Sequence, residues 1–380
     1  MIIKNGNVFT EEGVFEQRDL YIEGNYIVAQ SLDKEIIDAK GLYVIPGLID
    51  THIHGACGYD FCDGTVAALE NIGAYLVTQG ITAYMPTSMS LSKERLGKVF
   101  KCFAQYYKEY DIQNKVAIPL GIHMEGPFFE DAKKGAQSSE FLCGADLKIF
   151  QGLQICAGGH IKIVSLSPVV DNALQFIKEL KDKVILSLGH TTADYELASH
   201  AFEIGASRVT HLYNGMLSMN HRAPGVIGAA FDDKDVYVEL IGDGIHVHPS
   251  VIRSSFTMYT DERIVLISDN IRAVGMSDGI YELGGQTVKV ELQKATLEDG
   301  TIAGSATNLM ACMKKLVEIG IPLTSAIKVA TMNPAKSVGV YNQMGSLSVG
   351  KLANIVLLDQ DLNIQDVYIQ GNKVNLSNIK

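Results

Sequence analysis

The chain has 380 residues, 47% of them hydrophobic, which is enough to bury a large core and more than a single domain of ordinary size uses, so a large domain with a small companion is expected. A formal net charge of −11 without a basic cluster argues against nucleic acid or an anionic membrane as partner. No apolar run approaches bilayer-spanning length, the first residues lack the pattern of a signal peptide, and the six cysteines are scattered without paired spacing, so a soluble, cytoplasmic protein with reduced thiols is expected.

Taken in order, residues 1–43 read as short β segments, at 1–9 and 18–28, with Asn5-Gly6 and Gly24-Asn25 marking turns. Residues 353–359 and 366–374 have the same texture. Neither end completes a sheet alone, and exposed strand edges are a liability, so residues 1–45 and 345–380 are expected to pair into one small β-sandwich. Residues 46–344 then form the central domain. There, apolar strand-like runs at 42–50, 80–86, 116–125, 160–165, 184–189, 208–212, 236–241 and 263–268 alternate with helical stretches such as 66–79, 93–110 and 172–181. Alternation of this kind indicates a parallel sheet covered by helices, and eight strands predict a TIM (β/α)8 barrel. A doubly wound open sheet is the rival, but no Gly-x-Gly-x-x-Gly follows an early strand.

Polar residues fall at the ends of these strands. The first run leads into His52-Ile53-His54, whose i, i+2 spacing points both imidazoles to one face. By itself that pair reads equally well as two packed core histidines. Later strand ends carry His123-Met124-Glu125, Gly189-His190, Thr210-His211, Asp243-Gly244-Ile245-His246 and Ser268-Asp269. Because the C-terminal strand ends of a barrel converge on one mouth, His52, His54, Glu125, His190, His211 and Asp269 are read together as ligands and acid/base groups of a metallohydrolase. Asp269 suits proton transfer to and from the attacking water, with a plain ligand role as the alternative, and His246 suits donation to a developing oxyanion. His123 and His248 are assigned to orienting neighbouring groups, His160 and His200 to packing, and His221 to either.

These motifs resemble the amidohydrolase superfamily and, within it, the N-acetylglucosamine-6-phosphate deacetylases, over essentially the whole chain. The resemblance is carried by Pro46-Gly47-Leu48-Ile49-Asp50-Thr51-His52-Ile53-His54-Gly55, His123-Met124-Glu125-Gly126-Pro127-Phe128, Lys134-Gly135-Ala136, Gly189-His190-Thr191, His211-Leu212-Tyr213-Asn214-Gly215-Met216, Arg222-Ala223-Pro224-Gly225, Asp243-Gly244-Ile245-His246 and Asn333-Pro334-Ala335. It implies a divalent metal, zinc or iron, held by Glu125, His190 and His211, with His52 and His54 able to hold a second ion. It further implies a phosphorylated N-acetyl amino sugar as substrate, contacted by Asn214, Gly215, His246 and the segment Ile302-Ala303-Gly304, with Ala136 and Gln137 beside it. Arg222 is implied to bind phosphate across a homodimer interface. Two departures bear on substrate identity: Gln137 stands where relatives usually carry histidine, and Gly304-Ser305-Ala306-Thr307-Asn308 replaces a common Gly-Ser-x-Leu-Thr. The alternatives are an N-acetylgalactosamine-6-phosphate deacetylase, another amidohydrolase such as a dihydroorotase-like enzyme, and a non-catalytic scaffold. The second of these typically uses a modified lysine where this chain has Glu125, and scaffolds generally lose ligands that this chain retains.

Overall fold

The computed structural model describes residues 1–110 and 116–376. The apolar run at 42–50 divides at Gly47 into two strands: Tyr43–Pro46 joins a sheet built from the chain ends, and Leu48–Ile53 opens the barrel. A side chain at position 47 would overlap Thr82 of the next barrel strand, so glycine lets the chain pass from one sheet to the other.

In the terminal sheet, Ile2–Phe9 pairs antiparallel with Phe15–Glu23, which pairs with Tyr26–Val28. On its other side Ile2–Phe9 takes Ile36–Asp38 and then Tyr43–Pro46, both parallel. Tyr43–Pro46 in turn pairs with Ile355–Leu358, followed by Ile364–Ile369 and Asn372–Lys373, so the two chain ends complete one sheet. The change of partner along the first strand curves this sheet into a small sandwich, in which Ile3, Val8, Leu20, Ile27, Ile355 and Tyr368 bury a core of their own.

The barrel strands run in parallel in the order Leu48–Ile53, Ile81–Ser88, Ile122–Glu125, Ile161–Leu166, Ile185–Leu188, Arg208–Val209, Tyr237–Ile241 and Ile264–Ile267. Closure comes from a parallel bridge between Ile53 and Asn270 and from the Asp269 N–H, which donates to the His52 carbonyl at 3.0 Å. The barrel is therefore the TIM type. The run at 116–125 is also two pieces, Ile118–Pro119 and Ile122–Glu125, separated by Gly121 at a φ of 143°. Helices Val66–Thr78, Lys93–Glu109 and Ala173–Leu180 cover the barrel close to the expected limits. In the second of these, Ser92 caps the Arg95 N–H, while Leu96, Val99, Phe100 and Phe103 turn one buried stripe toward the strands.

Two features complete the frame around the mouth. Asn333, in the Asn-Pro-Ala motif, donates from its amide to the carbonyls of Asp261 and Ile264, both at 2.7 Å, and so pins helix Met332–Ser337 to the start of the eighth strand. Asn333→Ala would leave both carbonyls without that donor and is expected to lower unfolding free energy by about 1–3 kcal/mol in a denaturant titration; an unchanged midpoint would deny the motif this structural role. The second feature is an antiparallel sheet of Gly279–Leu283, Gln286–Glu291, Lys294–Thr296 and Ile302–Ser305. It is absent from the sequence expectations, although the two-residue Gly284-Gly285 turn, with φ of 59° and 87°, is a hairpin signal. Among the described residues, no helix is long and apolar enough to cross a membrane.

Candidate active site

Each expected ligand stands on or just beyond a barrel strand, and the site can be built from their ring nitrogens. His54 Nδ1 lies 3.1 Å from the Thr87 carbonyl, His190 Nδ1 2.8 Å from that of Lys133, and His211 Nδ1 3.1 Å from that of Asn214. A carbonyl only accepts, so each Nδ1 donates and each Nε2 is left as a lone pair. His52 Nδ1 is 2.9 Å from the Glu239 carboxylate, which sets the same tautomer, and the buried His52 Nε2 has no hydrogen-bond partner.

The four Nε2 atoms converge on two carboxylates. Glu125 Oε1 lies 3.2 Å from His190 Nε2 and 3.1 Å from His211 Nε2, and those two nitrogens are 3.1 Å apart. Asp269 Oδ1 lies 3.3 Å from His52 Nε2 and 3.2 Å from His54 Nε2, while Glu125 Oε2 is 3.5 Å from His54 Nε2. All these side chains are largely buried. Lone pairs this close, shielded from water, call for positive charge between them. Without an ion, protons supply it: burial pulls the pKa of His54 down, but Asp269 and Glu125 outweigh burial and hold it at about 9, and Glu125 does the same for His211. The donor set therefore fits one or two divalent ions, with Glu125 facing both halves.

The backbone is strained where it aims these groups. His190, His211 and Asp269 have φ of 48°, 29° and 52°, values that L-residues rarely adopt and that cluster at functional sites. Gly215, at a φ of 62°, lies over the His190 ring, where an added Cβ would come within 3.0 Å of Nδ1.

A cavity of about 310 Å³ opens over these side chains. His54, Glu125, His190, His211 and Asp269 form its floor. Ala136, Gln137, Asn214, Gly215 and His246 form its walls with Leu283, Ile302 and Gly304 of the antiparallel sheet and Thr301, which immediately precedes that sheet's last strand. His246 is held by Asp243, whose carboxylate lies 2.7 Å from Nδ1 and accepts the His246 N–H at 2.9 Å, leaving Nε2 as the free ring atom. Gln137 is fully engaged: Nε2 donates to Glu125 Oε2 at 3.0 Å and Oε1 accepts from the Ser90 N–H at 2.7 Å. Its first task in the structure is thus to hold the Glu125 carboxylate.

Other expected residues fall elsewhere. His52 lies beneath the cavity, and Ala303, although buried in the same strand as Ile302, does not line it. Arg222 is exposed in a separate depression with Asp194 and Leu217. His248, expected to orient neighbouring groups, instead caps helix Pro249–Arg263 by accepting from the Ser250 N–H. His123 touches no ligand atom through hydrogen bonds: its nitrogens pair with the Thr51 carbonyl and Ser165 Oγ, its ring packs on His52 at 4.6 Å, and burial drives its pKa down to about 3.

The profile of the amidohydrolase family matches residues 43–374. The chain belongs to the amidohydrolase family. A Bacillus subtilis N-acetylglucosamine-6-phosphate deacetylase is 35% identical, over 98% of this chain and 96% of the relative. An Escherichia coli N-acetylgalactosamine-6-phosphate deacetylase is 33% identical, over 97% of this chain and 98% of the relative. The crystal structure of a Pasteurella multocida N-acetylglucosamine-6-phosphate deacetylase superimposes with a TM-score of 0.92 at 30% identity, covering 98% of this chain and 99% of that one. Within this amidohydrolase barrel, sequence reading missed Glu239 and Arg208, buried charges inside the seventh and sixth strands. The signal was a charged residue in each of two otherwise apolar barrel runs, which a core does not accept unpaired.

Proposed function

We propose that this amidohydrolase removes the acetyl group from N-acetylglucosamine 6-phosphate, yielding glucosamine 6-phosphate and acetate. The observation that carries the reading is the convergence of four Nδ1-anchored imidazoles and two carboxylates under one cavity, in a chain similar over its full length to deacetylases of phosphorylated N-acetyl amino sugars. Glu125, His190 and His211 would hold a divalent ion, with His52 and His54 able to complete a second position, and that ion would supply Lewis acidity toward water and the amide carbonyl. Asp269, at the cavity floor, takes the proton of the attacking water and returns it to the leaving nitrogen, so that the C–N bond breaks to a neutral amine. His246, fixed through Nδ1 by Asp243, aims Nε2 at the acetyl oxygen and, when its ring carries both protons with Asp243 as the counter-charge, donates to that oxygen as it gains charge. Asn214, Gly215 and the Ile302–Gly304 segment orient the sugar.

The phosphate needs a cation, and among the described residues no lysine or arginine lines the cavity. Arg222, exposed and outside it, is assigned to the phosphate of a neighbouring subunit in a cytoplasmic homodimer; a guanidinium fork matches phosphate oxygens as a point charge does not. Arg222→Ala is expected to raise KM for the 6-phosphate about ten- to a hundredfold, the loss of a charge-assisted pair of roughly 1.5–3 kcal/mol, with little effect on an unphosphorylated N-acetyl sugar. Equal losses on both substrates would make Arg222 structural. The function itself is tested by a turnover panel of N-acetylglucosamine, N-acetylgalactosamine and their 6-phosphates on metal-analysed protein. Preference for the galactosamine epimer would support the second reading, which the Escherichia coli relative favours; preference for an unphosphorylated sugar would overturn both.

A further inference from the structure

Beneath the cavity, one carboxylate touches both halves of the candidate metal centre. Glu239 Oε2 lies 2.9 Å from His52 Nδ1 and accepts the His211 backbone N–H at 3.0 Å; Oε1 accepts from Arg208 Nε at 2.9 Å. Both charged side chains are essentially inaccessible to water, and Arg208 also donates to Ser337 Oγ at 2.8 Å and to Thr51 Oγ1. Charges buried this deeply are costly unless paired and hydrogen-bonded, and here each guanidinium nitrogen of Arg208 and each carboxylate oxygen of Glu239 has a partner. His52, His123 and Glu239 also bring ligand atoms within 4.8 Å of one another, but Arg208 already supplies the positive charge there, so that grouping acts as a support and not as a further metal site.

We infer that Glu239, charge-balanced by Arg208, is a positioning residue that couples the two halves of the site by setting the ring tautomer of His52 and the backbone of His211. The first half follows from the Nδ1 contact, which turns the unpartnered Nε2 of His52 toward Asp269 and Glu125. The second follows from the strained φ of 29° at His211, held from one side by Glu239 Oε2 and stabilised at the next residue by the Glu239 carbonyl, which accepts the Leu212 N–H at 2.8 Å. A ligand pre-aimed through its far nitrogen binds metal more tightly than a freely rotating ring, and losing such support typically weakens metal binding about 10–100-fold.

The inference rests on reading the cavity as a metal centre, so the experiment begins with wild type: metal-stripped protein titrated with zinc by calorimetry, and its cobalt(II) form examined by visible absorption. Glu239→Gln leaves Arg208 buried without its partner, so a double variant, Arg208→Gln with Glu239→Gln, is measured beside it to remove both charges together. The expected result in whichever variant folds is zinc binding weakened about 10–100-fold at both positions, with an altered cobalt spectrum. Wild-type affinity and an unchanged spectrum in a folded variant would overturn the positioning role alone; a wild type that binds no divalent ion would overturn the metal centre and this inference with it. If neither variant folds, ¹⁵N imidazole NMR of the zinc-loaded wild type decides: the inference requires the proton of His52 on Nδ1, and a proton on Nε2 overturns it.

Discussion

Asp269→Asn is expected to cut turnover by about 10²–10⁴-fold while leaving KM close to wild type, since that is the usual worth of a general acid/base step. The variant is well matched to its place. Asp269 has a φ of 52°, a left-handed conformation that asparagine tolerates as readily as aspartate, so the strained strand end is preserved. An amide of the same shape can still offer an oxygen to the floor of the cavity, beside His52 and His54 Nε2, but cannot take a proton from water. Metal content, measured with the rates, separates the proton role from a plain ligand role. Near wild-type turnover would assign the proton to another group, and lost turnover together with lost metal would make Asp269 a ligand first.

Glu125→Gln is expected to remove both bound metal and activity, and for a reason specific to this pocket. Glu125 Oε2 accepts from the Gln137 amide, whereas Oε1 faces the Nε2 lone pairs of His190 and His211. A glutamine at 125 would avoid setting its NH₂ against that of Gln137 by turning its oxygen there, which aims the NH₂ at the two imidazoles. They would then accept hydrogen bonds from an amide in place of binding an ion, and the negative charge between the two halves of the site would be gone. Elemental analysis should show at least a tenfold loss of bound metal in folded protein. Full occupancy in this variant would refute the ligand assignment. Gln137→Ala frees Oε2 without creating the clash, so its effect on metal content should be smaller.

The sequence by itself determined the architecture and the types of residue at the mouth. The alternation of apolar strands with amphipathic helices depends on neighbours a few residues apart, so the barrel, its covering helices and the pairing of the two β-rich ends were legible from local pattern. His52 and His54 announced a shared direction because a strand repeats every two residues. Only the tertiary structure decided which groups meet and in which protonation pattern. The passage at Gly47 depends on Thr82 in the adjacent strand, and the task of Gln137 depends on Ser90 and Glu125 from two other strand ends. His248 and His246 share a parity in sequence, yet one caps a helix and the other faces the cavity, because the chain leaves the strand before reaching either. The tautomer of His52 is set by Glu239, 187 residues away, and the charge of Glu239 by Arg208 in the neighbouring strand. Contacts across such separations arise from barrel closure, and no local period of the sequence encodes them.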